Sequence, residues 1–362
     1  MEREITLNDT VALALGAGIL GTGGGGNPYI GRLWLEQELK QRGGAVRIID
    51  AGDVADDATV CSVGMMGAPT VSNEKLQEGG EFIRNIRALE QHVHASIEAL
   101  VIGEIGGSNA IKPLVAGLQL GLPVVDGDGM GRAFPELQMD TFSIGGVSSS
   151  PMALSDDYGN VIIFHKLDSP KRAEQYARIL TIEMGGSAAL SMPVMTGVQM
   201  KTNIIRGTLT LAQRMGETVL TARRSNTEPS EAVAALGNGR VLFRGKIVDV
   251  ERRTTQGFAR GRLKLVAFGD PNDVMEIVFQ NENLIAWHNG EIVCTVPDLI
   301  CILSLEDGES VGTESLRYGL RVTVIGMPAA KELKTPKALA VVGPVGFGYP
   351  DVTFQPMLGN LL

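Results

Sequence analysis

Histidine, cysteine and aromatic residues are scarce in this chain, and each shortage closes off a class of chemistry. Only four histidines occur, His92, His94, His165 and His288, with no HExxH pair, so a histidine-based metal site is not expected. His92 and His94 fall at a helix end, where such pairs more often complement the dipole. The three cysteines, Cys61, Cys294 and Cys301, form no CxxC. An odd, scattered set suits reduced thiols in a cytoplasmic protein rather than a disulfide framework or a structural zinc. Aromatics make up 5% of the chain, and the formal net charge is −9 with no basic stripe. That excludes nucleic acid and anionic membrane surfaces as expected partners. The start, MEREITLNDT, lacks an apolar h-region, and no run approaches ~18 apolar residues, so neither signal peptide nor membrane span is expected. A GxSxG elbow and a Walker lysine are missing too, which leaves acyl-enzyme and P-loop chemistry without a motif.

Glycine is what the chain has in excess, 46 of 362 residues, against an average usage near 7%. The glycines have no period, which excludes collagen-like sequence. They gather instead where apolar runs end. With 44% hydrophobic and 20% charged residues, the chain reads as an ordinary globular protein of two or three domains.

The stretch Gly121–Gln138 (GLPVVDGDGMGRAFPELQ) organises the rest. Leu122–Val125 reads as the end of a buried strand. It stops at Asp126-Gly127-Asp128-Gly129-Met130-Gly131-Arg132, where the glycines permit sharp turns and close approach to a ligand. Upstream, Ala99–Gly103 ends at Glu104-Ile105-Gly106-Gly107-Ser108-Asn109 in the same manner. Ligands in open α/β sheets bind beyond the carboxyl ends of parallel strands, so the two turns point to one site. The bland alternative is two βα turns whose Asp and Asn cap helices.

In chain order, helix is expected over 7–20 and about 29–42, separated by the tetraglycine run Gly23–Gly26 before Asn27. Gly16-x-Gly18-x-x-Gly21 matches a dinucleotide fingerprint but follows no strand, so it is discounted. Strands are expected at Ala45–Asp50, Thr59–Val63 (ending in the glycine turn Gly64–Pro69), Ala99–Gly103, Leu122–Val125 and Gly159–Lys166. Helices are expected at Glu78–His92, Ile111–Leu120, Pro170–Met184 and about Lys201–Arg223. Strands alternating with helices give an α/β fold, a mostly parallel sheet with flanking helices. From Arg240 short strands follow one another, a smaller all-β C-terminal domain over about 240–328. His288-Asn289-Gly290-Glu291 marks a hairpin there. The domains are thus 1–235 and 240–328, with 335–362 packing back on the first and Ser225–Pro229 as an exposed linker.

The chemistry left is a carboxylate site with one arginine. Glu104, Asp126 and Asp128 are the candidate catalytic acids and bases, since carboxylates withdrawn from water gain raised pKa values. The same three could hold a hard divalent cation, and the cofactor stays open. Arg132 can grip a substrate carboxylate in a bidentate fork or form a structural ion pair. Gly24, Gly25, Asn27 and Asn109 complete the candidate substrate-binding set.

GTGGGGNPYIG (21–31), GMMGAP (64–69), GEIGGSNAIKPL (103–114) and PVVDGDGMGRAFPE (123–136) resemble the DUF917 family of S-methyl thiohydantoin desulfurase-like proteins. The resemblance covers nearly the whole chain. It implies a separate C-terminal β domain and activity on a hydantoin or thiohydantoin. It also leaves open a non-catalytic partner of a hydantoinase or oxoprolinase assembly. A third reading is a nucleotide-binding protein using the tetraglycine loop. A small-molecule substrate and a homo-oligomer are the expected partners.

Overall fold

The computed structural model of the chain describes residues 3–357 except 69, 70, 72, 73, 76 and 256. Two sheets form it. The first has nine strands: β1 (Arg3–Ile5), β2 (Val46–Ile49), β3 (Thr59–Gly67), β4 (Ala99–Ile102), β5 (Val124–Asp128), β6 (Met152–Ser155), β7 (Val161–Phe164), β8 (Ser187–Thr196) and β9 (Ile205–Arg206). Their order is β1-β2-β5-β4-β3-β8-β6-β7, with β9 on β5. The central β2, β5, β4 and β3 run parallel, so their carboxyl ends share one edge. Antiparallel strands extend both sides. The helices are α1 (Thr10–Leu20), α2 (Pro28–Arg42), α3 (Glu81–Val93), α4 (Lys112–Leu120), α5 (Thr141–Gly145), α6 (Pro170–Glu183), α7 (Gly197–Asn203), α8 (Thr208–Arg224) and α9 (Pro229–Leu236). This is the α/β class expected from the alternation of runs. None of the described helices is long and apolar enough to cross a membrane.

The second sheet is antiparallel throughout: β10 (Arg240–Thr255), β11 (Phe258–Ala267), β12 (Asp270–Gln280), β13 (Glu282–His288), β14 (Glu291–Thr295), β15 (Leu299–Ser304) and β16 (Arg321–Met327). It curls until β13 and β14 at one end meet β15 at the other. The β13–β14 hairpin turns on Asn289 (φ 51°) and Gly290 (φ 87°), the left-handed pair that a two-residue turn requires. One apolar cluster spans both sheets, joining Leu20, Ile102 and Leu114 to Leu299, Ile325 and Met327.

Three local expectations change. β3 does not stop at Val63: Gly64–Gly67 continue as strand, paired with Ser187–Leu190 of β8, and Pro69 lies outside the described residues. β8 itself is unannounced in sequence. Its Ala, Ser and Met residues are poor strand signals, and Pro193 argues against an interior strand. The proline is accommodated beside a register shift against β3. The helix expected over 201–223 divides into α7 and α8, because Ile205–Arg206 pair with β5 and Gly207 (φ 73°) turns the chain.

The Gly16-x-Gly18-x-x-Gly21 match has a packing cause. A Cβ on Gly16 would lie 1.7 Å from the Ala212 carbonyl oxygen, and one on Gly216 equally close to that of Ala12. Small residues let α1 and α8 cross backbone to backbone. After β16, α10 (Pro336–Val342) and the following turn rest on the α/β part, where Phe347 stacks on Phe134 at 6.4 Å. The tail then returns to the second sheet, where Met357 joins its core.

Candidate functional site

The carboxyl ends of β3, β4 and β5 meet the β12–β13 turn of the second sheet, and a cavity of about 110 Å³ lies between them. It is of the order of the ~150 Å³ pocket that accepts a benzene ring, so it suits one small ring. Met65, Met66, Met130 and Met192 supply a thioether wall. Glu104, Lys112, Asp140, Arg178 and Glu282 bring charge to the same space.

The tetraglycine loop closes one side. A Cβ on Gly24 would fall 1.9 Å from Glu282 Oε1. Gly25 (φ 76°) lies against the Gly106 carbonyl, where a Cβ would come within 2.3 Å. The Ser108 and Asn109 N–H groups donate to the Gly26 and Gly25 carbonyls. Gly25 and Gly26 line the cavity, while Gly24 backs onto Glu282. Asn27 lies beyond the loop and caps α2, accepting from the Tyr29 N–H at 3.0 Å.

Glu104 lies in the turn just past β4 and is 9% exposed. Its Oε1 accepts from Asn109 Nδ2 at 3.2 Å, and Oε2 from the Phe134 N–H at 3.4 Å. Burial pushes its carboxyl up to about 8, against those two hydrogen bonds. Asn109 is fixed by a two-way bond to the Met65 backbone, accepting from its N–H and donating to its carbonyl. Glu282 is 2% exposed, and its Oε2 has no hydrogen-bond partner among the described residues. Burial, then the neighbouring Glu104, raises its carboxyl well above the ordinary range, while Arg132 pulls it down. Burial lowers Lys112 to about 8, with Glu81 and Glu104 opposing. Asp140, capping α5, is pushed by burial up to about 6.

Of the three expected carboxylates, Glu104 alone lines the cavity. Asp126 and Asp128 part company because β5 carries a register shift against β4, with Val125 opposite Val101 and Asp128 opposite Ile102. Asp126 turns to α8, where it accepts from the Thr210 N–H and hydroxyl, 3.7 Å from Arg3. Asp128 is fully buried behind the cavity and accepts from the N–H groups of Ile105, Met130 and Gly131 at 2.8–3.0 Å. It ties the two glycine turns together. Burial lifts its carboxyl to about 7, against those N–H groups. The cation site imagined from Glu104, Asp126 and Asp128 therefore does not assemble, and no group of three or more His, Cys, Asp or Glu able to hold a metal ion occurs among the described residues.

Arg132 corrects the other expectation. It is 0% exposed, and its guanidinium donates to the carbonyls of Ala133, Pro297, Asp298 and Asn283 and to Thr22 Oγ1. With every N–H engaged by protein, it has no fork to offer a substrate. It joins the DGDG turn to the second sheet instead.

Glu282 and Lys112 were not legible as site residues. Glu282 comes from a domain that sequence alone sets apart, although the polar run Gln280-Asn281-Glu282-Asn283 inside strand-like sequence is a signal, and all four are buried. Lys112 sits in the motif GEIGGSNAIKPL but reads there as a solvated helix lysine.

These shifts predict a pH dependence of stability. Glu104, Asp128 and Asp140 have folded values above their unfolded ones. The folded state holds extra protons between the two values, so stability is full below the unfolded value and is lost as pH rises toward 8. Lys112, shifted down, contributes only above about 8, where stability recovers. The unfolding free energy from urea titration should therefore be higher at pH 5.5 than at pH 8, by at least about 1.4 kcal/mol, the equivalent of one pKa unit, and the midpoint should move with it. Equal midpoints would mean that these carboxyls ionise normally.

No curated protein matches the chain. Among solved structures it is similar to an X-ray crystal structure of a protein from Chromobacterium violaceum, a structural-genomics target. The two are 25% identical, with a TM-score of 0.82 over 98% of this chain and 99% of that one. The family descriptions "S-Me-THD-like, N-terminal domain" and "S-Me-THD-like, C-terminal domain" match residues 8–166 and 168–357. Their border falls well before the start of the second sheet at Arg240. Matched along almost its entire length, the chain belongs to the S-Me-THD-like family.

Proposed function

We propose that the protein is a hydrolase-type enzyme that adds water to the C=S or C=O carbon of a five-membered cyclic ureide or thioureide, a hydantoin or thiohydantoin. The observation that carries this is the pairing of Glu104 with Glu282 in one small cavity. Burial pushes Glu104 up to about 8, so it can donate a proton near neutral pH, and raises Glu282 beside it well above the ordinary carboxylate range; a proton donor is what a departing sulfur or nitrogen needs. The thioether wall of Met65, Met66, Met130 and Met192 suits a soft sulfur substituent. On an S-alkylated thiohydantoin, water would add to the ring carbon, the C–S bond would break, and a carboxyl proton would leave with the thiol.

The nucleotide reading has less support. The tetraglycine loop faces Glu104 and Glu282, and buried carboxyls make a poor cradle for phosphate. Purified protein should release thiol from S-methyl thiohydantoins, or sulfide or ureide from thiohydantoin propionate and hydantoins. Turnover by the protein alone rejects the partner-subunit reading. Silence with every ring, while added hydantoinase or oxoprolinase subunits restore turnover, would reject the enzyme reading.

A further inference from the structure

Lys112 is the cavity's least explained group. It opens α4, is 4% exposed and lines the cavity. Lysines so deeply buried are almost always paired. This one makes neither a hydrogen bond nor an ion pair among the described residues. Two carboxylates lie near enough to act on it electrostatically, Glu81 from α3 and Glu104 from the end of β4. Neither touches it. Both Glu81 oxygens are occupied by the N–H groups of Glu78 and Gly79, and Glu104 is held by Asn109 and Phe134. Arg178, the cation across the cavity, is engaged by Glu174 and by the Pro135 carbonyl. Asp140 caps its own helix, and Glu282 faces the glycine loop. The amine and the Glu104 carboxyl thus border the same space with a gap between them. A structural lysine would have closed that gap.

We propose that Lys112 is the base of this cavity, taking a proton from the attacking water across the gap that separates its amine from the Glu104 carboxyl. The role rests on the hydrolase reading above. The water O–H proton passes to Nζ as the oxygen bonds to the ring carbon. The C–S bond then breaks, and the thiol departs with a proton from the Glu104 or Glu282 carboxyl. The added hydroxyl collapses to C=O, its proton passing to the adjacent ring nitrogen. Ammonium and carboxylate return to amine and acid by a single proton transfer. Water in and thiol out balance, and no further reactant is needed. The lowered value of about 8 and the position at a helix N-terminus agree with a lysine that is readily a free amine.

Trace acetylation with acetic anhydride across pH, read by mass spectrometry, tests the amine without any substrate. Lys112 should label with a midpoint near 8, well below the ~10.4 of solvated lysines, and Glu104→Gln should lower that midpoint further. A Lys112 midpoint equal to that of exposed lysines would overturn the proposal. Lys112→Met should melt no lower than wild type, since it removes a buried amine that costs stability below pH 8, keep the wild-type KM and lose roughly 10²–10⁴-fold in kcat. Lys112→Arg, permanently charged, should not rescue it. Unchanged kcat in Lys112→Met would overturn the base role while leaving the hydrolase reading intact. Wild-type protein that turns over no ring counts instead against the hydrolase reading, and the labelling midpoint remains readable in that case.

Discussion

Glu104→Gln is expected to cut turnover of a cyclic thioureide by roughly 10²–10⁴-fold, the usual worth of a general acid or base, while the protein stays folded. Glutamine keeps the size and one acceptor of the side chain. It turns an amide toward either the Phe134 N–H or Asn109 Nδ2, both donors to the native carboxylate, so one hydrogen bond of about 1 kcal/mol is lost. Removing an ionisable group from a buried position offsets part of that. Asp128→Asn is the contrasting case. Asp128 accepts from three backbone N–H groups behind the cavity and does not line it. Its loss should cost roughly 1–3 kcal/mol of stability and leave the folded fraction active. Turnover and urea midpoint measured on both variants decide the assignment. Full activity in Glu104→Gln with lost activity in a folded Asp128→Asn would move the chemistry back into the DGDG turn.

The largest expected effect on stability is that of Arg132→Lys. The guanidinium serves five oxygen atoms at once, from Thr22, Ala133, Asn283, Pro297 and Asp298, and lies 4.9 Å over the Phe134 ring. An ammonium has three N–H groups in a tetrahedral array and cannot reproduce a planar fork. At least two buried oxygens lose their donor, at about 1–3 kcal/mol each. A loss of roughly 2–5 kcal/mol follows, and it falls on the junction between the two sheets. The variant should unfold at markedly lower urea, with the second sheet released earlier by hydrogen exchange. A variant as stable as wild type, with a raised KM for acidic rings only, would return Arg132 to substrate binding.

Much of this protein is decided locally and is visible in its sequence. Alternating apolar runs and helical periodicities specify the parallel core, because strand and helix periods differ and each must bury one face. The Asn-Gly hairpin and the glycine-punctuated strand ends follow from backbone sterics at single residues. Glu104 is legible for the same reason: a carboxylate at the carboxyl end of a buried strand has few places to go. The rest depends on residues far apart in the chain. The register shift between β4 and β5 sends Asp126 to α8 and Asp128 behind the cavity, and two carboxylates in one motif give no sign of it. Arg132 reads as a binding group until the second sheet brings it the carbonyls of 283, 297 and 298. Glu282 belongs to that sheet and acquires its raised carboxyl from burial first and from the neighbouring Glu104 second. Lys112 looks like any helix lysine until the cavity removes its water. Local propensity set the elements, whereas burial and charge at the site depend on contacts between separate elements, up to 166 residues apart where Arg132 meets Asp298, which only the tertiary structure decides.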